Sequence, residues 1–189
     1  MVVAGADALG LNFVTSSTRF VSLDTARRIA RKTAGAVVRV GVFADAEPEQ
    51  VERVLDQVDL DVLQFHGSEQ RAYCERWKLP YIKAVSVRGR LDGKVLDAAY
   101  PSACCVLLDT FVPDMRGGTG ERFDLSLWPH GSGSKLALAG GLDPSNVGAA
   151  VTQVRPYAVD VSSGVEGTTK GIKSAQRIIE FVQAVRRAE

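Results

Sequence analysis

Cys105-Val106-Leu107-Leu108-Asp109-Thr110 is a short apolar run that ends in a carboxylate. A run of this length and composition fits a strand buried on both faces. The polar residue at its exit then sits at the carboxyl end of the strand. Working outward, the same unit recurs: Ala8 to Phe13, Val37 to Phe43, Val62 to Phe65, Tyr81 to Val85, Leu136 to Ala139 and Ala158 to Val161. With Cys105 to Leu108 these make seven candidate strands.

The segments between them carry helical spacing, as in Ala26, Ile29 and Ala30, in Val51, Val54 and Leu55, and in Ile172, Ile178, Ile179, Phe181, Val182 and Val185. Helix starts are signalled by Ser22 and Asp24, by Ala46-Glu47-Pro48 and by Ser68-Glu69. Alternating strands and helices imply a parallel sheet covered by helices, which either a barrel or a doubly wound sheet satisfies. Polar residues favour the barrel: Asn12, Gln64, His66, Asp109, Gly140 and Asp160 all stand at or near the carboxyl ends of different strands. Such a ring is the active face of a (β/α)8, or TIM, barrel.

The chain has 189 residues, 46% of them apolar, enough for one core, so residues 1–189 are expected to form a single barrel domain. Met1-Val2-Val3-Ala4-Gly5 reads as the last turn of a helix stopped by Gly5. Seven strands after a helix tail lead to the expectation of a barrel truncated at its amino end, with the first βα unit largely missing.

Lysine and arginine total 23 against 22 acidic residues, so the overall charge attracts neither nucleic acid nor an anionic membrane. No apolar run reaches the roughly 20 residues needed to span a bilayer, and no signal-like segment opens the chain. A cytoplasmic location is the expectation. Cys74, Cys104 and Cys105 are read as thiols that act as buried small hydrophobes, with no disulfide framework and no metal site.

Several residues carry candidate chemistry. Asp109 can protonate a substrate oxygen, or can simply accept from loop amides behind it. Gly117-Gly118-Thr119-Gly120 is a stretch that could close over a ligand, or only turn the chain. Leu138-Ala139-Gly140-Gly141-Leu142 and Asp160-Val161-Ser162-Ser163-Gly164-Val165-Glu166 follow the last two strands and offer small residues and backbone amides to a phosphate. Arg19 can pair with a ligand carboxylate or lie solvated. His66 can cap or pack, and Lys83 can line the barrel interior or pair with a carboxylate.

Taken in order, the segments Ala4 to Gly10, Ser17 to Ser22, Val40 to Phe43, Leu63 to Glu69, Leu107 to Thr110 with Gly117 to Gly120 and Phe123-Asp124, Leu138 to Leu142 and Asp160 to Glu166 resemble the motif set of the phosphoribosylanthranilate isomerase family. The resemblance implies an Amadori rearrangement in tryptophan biosynthesis, without cofactor or metal. N-(5-phosphoribosyl)anthranilate would become 1-(2-carboxyphenylamino)-1-deoxyribulose 5-phosphate. The partner would be that sugar phosphate alone, with the chain a monomer or homodimer.

By the same resemblance Asp109 is the general acid that opens the ribose ring. Arg19 holds the anthranilate carboxylate, and Asp160 lies near the ribose hydroxyls. Gly140, Gly141, Ser162, Ser163 and Gly164 cradle the phosphate, and Gly117, Gly118, Thr119 and Gly120 form the closing loop. The family also begins with a Lys-Ile-Cys-Gly-type strand whose cysteine is the general base. No stretch here matches it, so the base is expected to be absent, with a loss of about 10²- to 10⁴-fold. The alternatives are a longer product starting upstream, a non-catalytic phosphate-binding barrel, or another sugar-phosphate barrel enzyme of histidine or tryptophan synthesis.

Overall fold

A computed structural model describes residues 2–110 and 122–189. The chain divides into two compact units, Met1–Ile82 and Lys83–Glu189. Strand β4 (Tyr81–Val87) runs across the division. Within each unit hydrogen-bonded strands follow chain order and are parallel, β1-β2-β3 in the first and β5-β6-β7 in the second. Among the described residues no helix is long and apolar enough to cross a membrane.

The first unit opens with a 3-10 turn, Val2–Ala4, closed where Gly5 donates to the Val2 carbonyl at 3.0 Å with a φ of 80°. The helix tail expected there is thus a single tight turn. Next come β1 (Ala8–Asn12), α1 (Leu23–Thr33), β2 (Val38–Phe43), α2 (Pro48–Leu55), β3 (Val62–Phe65) and the one-turn α3 (Arg71–Cys74). Ser22 caps α1 by accepting from the Thr25 amide, and Pro48 opens α2, where its missing N–H costs no helical bond. Ala26 and Ala30, one turn apart, bury the inner stripe of α1, as Val51 and Val54 do for α2. Beneath them Phe13 stacks on Phe43 at 5.4 Å, and Phe43 packs on Phe65 at 6.3 Å.

Ser68-Glu69 does not start α3, whose N-cap is Gln70. Both residues are occupied elsewhere. The Glu69 carboxylate accepts the Asp45 amide at 2.7 Å and the Gly67 amide at 2.9 Å, while Ser68 donates its amide and hydroxyl to Asp45. Asp45 itself has a φ of 48°. The pattern that resembles a helix cap therefore ties the loop after β2 to the loop after β3.

The second unit continues with α4 (Gly93–Ala99), β5 (Cys105–Thr110), β6 (Leu136–Leu138), α5 (Val147–Val154), β7 (Ala158–Val159) and α6 (Ala175–Arg186), with 3-10 turns at Leu125–Leu127 and Ser163–Val165. Val106, Leu107 and Leu108 are all at most 2% exposed, which is why this strand reads as an unbroken apolar run rather than an alternation. Ile178 and Phe181 bury the inner stripe of α6. Ile172 lies ahead of that helix and is 63% exposed, so the apolar spacing starts later than expected. Cys74 and Cys105 are buried, but Cys104 is exposed, because it precedes the first paired residue of β5 and faces outward. It is not the buried hydrophobe expected.

Candidate active site

The carboxyl ends of β5, β6 and β7 lie side by side. Leu108 pairs with Leu138 and Leu138 with Val159, so these three share one row of the sheet. The next row holds Asp109, Ala139 and Asp160. The Ala139 amide donates to the Leu108 carbonyl at 2.8 Å, and the Asp160 amide donates to Leu138 at 2.9 Å. The ladder ends there, which shortens β7 relative to the run Ala158 to Val161, and Asp160 is exposed just beyond the strand.

Asp109 is 8% exposed, and its Oδ1 accepts the Thr110 amide at 2.8 Å. A backbone bond to the following loop is therefore present. It holds one carboxyl oxygen at the strand exit.

Thr110 in turn shapes the loop after β6. A Cβ on Gly140 would lie 2.8 Å from the Thr110 amide nitrogen and closer still to its hydroxyl. Gly140 has a φ of 90° and Gly141 of 59°, a left-handed pair that only glycine adopts at little cost. Their carbonyls are anchored away from the loop's own amides, Gly140 by the Phe123 amide at 3.3 Å and Gly141 by the Asn146 side-chain amide at 2.8 Å. Downstream, Asp143 accepts from the amide and hydroxyl of Ser145 and from the Asn146 amide. Burial pushes its carboxyl pKa up, and the Ser145 and Asn146 donors outweigh that, holding it below the usual range.

The loop after β7 comes as close as backbones allow. A Cβ on Gly164 would sit 2.8 Å from the Leu142 carbonyl carbon and 3.1 Å from the Asp143 Cα. Ser162 precedes the 3-10 turn Ser163–Val165, and the Glu166 amide closes that turn on the Ser163 carbonyl at 2.9 Å. Among the described residues, the amides of Gly141, Ser163 and Gly164 donate to no protein acceptor. Of the predicted site residues, then, Asp109, Gly140, Gly141, Asp160, Ser162, Ser163 and Gly164 belong to one cluster of strand ends and their loops.

Arg19 belongs to the first unit, half-buried in the turn between β1 and α1, where its amide donates to the Ser17 hydroxyl at 3.1 Å. Gln64 and His66 also lie in that unit, with Gln64 Nε2 3.2 Å from His66 Nδ1. Lys83 is buried in β4. Its Nζ donates to the Ala84 carbonyl at 2.9 Å and lies 5.9 Å from the centre of the Tyr100 ring, so its partners include a carbonyl and an aromatic face. Gly117, Gly118, Thr119 and Gly120 fall outside the described residues.

Thr110, inside the motif Leu107 to Thr110 but given no role there, packs on Gly140, and two residues carry no mark in the sequence, Lys173 and Arg177, which hold the loop after β7 through its carbonyls. No short-range pattern singles them out. Lys173 is 11 residues from Ser162 and Arg177 is 13 from Gly164.

A family model described as N-(5'phosphoribosyl)anthranilate (PRA) isomerase matches residues 1–184. The chain is 50% identical over 187 residues to N-(5'-phosphoribosyl)anthranilate isomerase of Pseudomonas fluorescens Pf-5, covering 99% of this chain and 89% of that protein. The Pseudomonas aeruginosa LESB58 enzyme is 51% identical over 183 residues, covering 97% and 86%. Among solved structures, phosphoribosyl anthranilate isomerase from Thermus thermophilus superposes with a TM-score of 0.85 at 34% identity, over 99% of this chain and 91% of that one. An isomerase crystallised with reduced 1-(o-carboxyphenylamino)-1-deoxyribulose 5-phosphate matches with a TM-score of 0.78 at 35% identity, over 98% and 90%. The α/β barrel class is the class of these structures. Matched along nearly its whole length in sequence and in fold, the chain belongs to the phosphoribosylanthranilate isomerase family.

Proposed function

We propose that the chain acts on N-(5'-phosphoribosyl)anthranilate, binding its phosphoryl group at the loops after β6 and β7 and rearranging the aminoaldose to the 1-amino-1-deoxyketose. The observation that carries this reading is the placement of a nearly buried carboxyl, Asp109, on the same row of strand ends that leads into two glycine-bearing loops with unengaged amides. Backbone N–H groups at close-approach glycines bind a phosphate without needing a cationic side chain.

In the proposed reaction Asp109, in its protonated form, donates to the ribose ring oxygen as the bond from the first sugar carbon to that oxygen breaks. The anthranilate nitrogen supplies the electron pair and a protonated imine forms. Water takes the proton from the second carbon, giving an enaminol, and returns one to the first carbon as the enaminol becomes the ketose, so no electrons leave or enter overall. Arg19 is assigned to the anthranilate carboxylate and Asp160 to the ribose hydroxyls. Cys74 lies in α3, and Cys104 and Cys105 lie at the entrance of β5, so none of the three is assigned as the base.

The test is calorimetric titration with the reduced deoxyribulose phosphate product, paired with chromatographic measurement of substrate conversion. Arg19→Ala is expected to weaken binding by about 10-fold or more, the scale of a lost charged hydrogen bond. Asp109→Asn should keep binding within a few-fold while depressing conversion by about 10²- to 10⁴-fold. Failure of the unaltered chain to bind the reduced product would overturn the reading. Binding without any conversion would retain phosphate recognition and overturn the catalytic assignment.

A further inference from the structure

The loop after β7 is held from behind by a stretch of chain that returns to it. Beyond the turn Ser163–Val165 the Gly167 amide donates to the Ile172 carbonyl at 2.9 Å, and Gly171, with a φ of 86°, reverses the direction. Glu166 and Lys173 then form an antiparallel bridge, and the Ser174 amide donates to Val165 at 2.9 Å before Ser174 caps α6. This return brings Lys173 Nζ to the Ser162 carbonyl at 2.7 Å, the Ser162 hydroxyl at 3.3 Å and a Glu166 carboxylate oxygen at 3.3 Å. An ammonium has three donors, and these acceptors are among its partners. The Glu166 side chain is only 8% exposed and forms an ion pair with it.

A trans peptide points its C=O and the following N–H in opposite directions. Whatever grips the Ser162 carbonyl therefore aims the Ser163 amide the other way. By the same geometry, the Glu166 amide on the Ser163 carbonyl aims the Gly164 amide, and Asn146 on the Gly141 carbonyl aims the amide of Leu142. Arg177 fixes the next peptide with two donors on the Gly164 carbonyl, at 3.1 and 2.9 Å. Of these grips on Ser162 to Gly164, those from Lys173 and Arg177 come from charged side chains.

We propose that Lys173 is a positioning residue for phosphoryl recognition. It grips the Ser162 carbonyl, so the Ser163 amide is already turned towards the phosphate before ligand arrives, and Glu166 is among the groups that balance its charge. This rests on the reading of the two loops as the phosphate cradle. It adds a preorganised peptide whose orientation is set by a side chain acting through the Ser162 carbonyl.

The experiment compares the affinities of the reduced deoxyribulose phosphate product and of its dephosphorylated form, whose ratio isolates the phosphoryl contribution. In Lys173→Met the ratio is expected to fall by about 10- to 100-fold, with affinity for the dephosphorylated form unchanged. Lys173→Arg, which keeps the charge and donors, should restore most of it. Arg177→Ala, altering an exposed side chain of α6, should lower the ratio by up to about 10-fold. If Lys173→Met does not fold, Lys173→Arg and the unaltered protein decide: inorganic phosphate should shift the Ser163 amide resonance in both, and a Ser163 resonance unmoved in both overturns the proposal. A ratio near one in the unaltered chain defeats the cradle itself. A large ratio that Lys173→Met preserves defeats only the role of Lys173.

Discussion

Replacing Gly164 by alanine should lower stability and phosphate affinity together, because the loops after β6 and β7, the proposed phosphate cradle, meet at that Cα. An added Cβ would fall 2.8 Å from the Leu142 carbonyl carbon and 3.1 Å from the Asp143 Cα, and nearer still to the Leu142 oxygen. All three neighbours are backbone, so no rotamer change relieves the overlap. At Gly41, by contrast, the tightest neighbours are side-chain atoms, of Leu60 and Phe43, rather than backbone. Gly164 is outside the left-handed region, so the penalty is steric.

Overpacking of this kind costs about 1–3 kcal/mol. The smaller entropy of the unfolded alanine variant offsets about 0.4–1 kcal/mol of it. For a chain of this length the remaining loss corresponds to a Tm lower by roughly 2–4 °C per kcal/mol. Gly89→Ala is the matched reference, since a Cβ there meets nothing within 4 Å and its φ is not left-handed. Urea denaturation of both variants, with calorimetric titration of the reduced product, measures both consequences. A Gly164→Ala protein within about 0.5 kcal/mol of Gly89→Ala, with unaltered affinity, would refute the close-approach argument.

Two further tests concern pH. Asp97, on α4, accepts from the Ser132 hydroxyl at 2.5 Å and from the amides of Gly133 and Ser134, and these bonds, the Ser132 hydroxyl first, hold its carboxyl far below the usual 3.8. A depressed carboxylate pKa stabilises the fold above the unfolded value and loses that contribution as pH falls below it. The stability gap between the native protein and Asp97→Asn should be full at pH 7 and should narrow below about pH 4; an unchanged gap down to pH 2 would contradict this. Tyr73 is pushed up to about 12 by burial and by the Glu69 charge, while its hydroxyl donates to the Ala46 carbonyl at 2.6 Å. Its neutral form is favoured in the fold, so that contribution is complete below the unfolded value of 10 and fades as pH rises towards 12. Denaturation midpoints at pH 9 and pH 11 should converge for Tyr73→Phe relative to the native protein, and equal alkaline sensitivity would exclude the assignment.

The strands and their exits were readable from the residues alone because burial on both faces leaves a local mark. Val106 to Leu108 could hardly serve anywhere but inside a covered parallel sheet, and a polar residue ending such a run must lie at the strand's rim. The family motifs from Ala4 to Glu166 carried the activity class by the same route, since each is a short segment whose spacing is its signature. Ser68-Glu69 and Ile172 show where local pattern misleads. A cap-like pair was drawn into bonds with Asp45 and Gly67, and an apolar residue at helical spacing was left outside the helix by the turn at Gly171.

What the chain determined by itself was the alternation of strand and helix, the polar strand ends and the glycines that let backbones approach. Only the folded form decided which groups face one another: Thr110 against Gly140, Leu142 against Gly164, and Lys173 reaching back to Ser162. The reason is one of range. Apolar periodicity and turn chemistry act over a few residues and are written in neighbouring letters. A carbonyl held by a side chain 11 residues onward depends on where a hairpin returns, and no local composition encodes that distance.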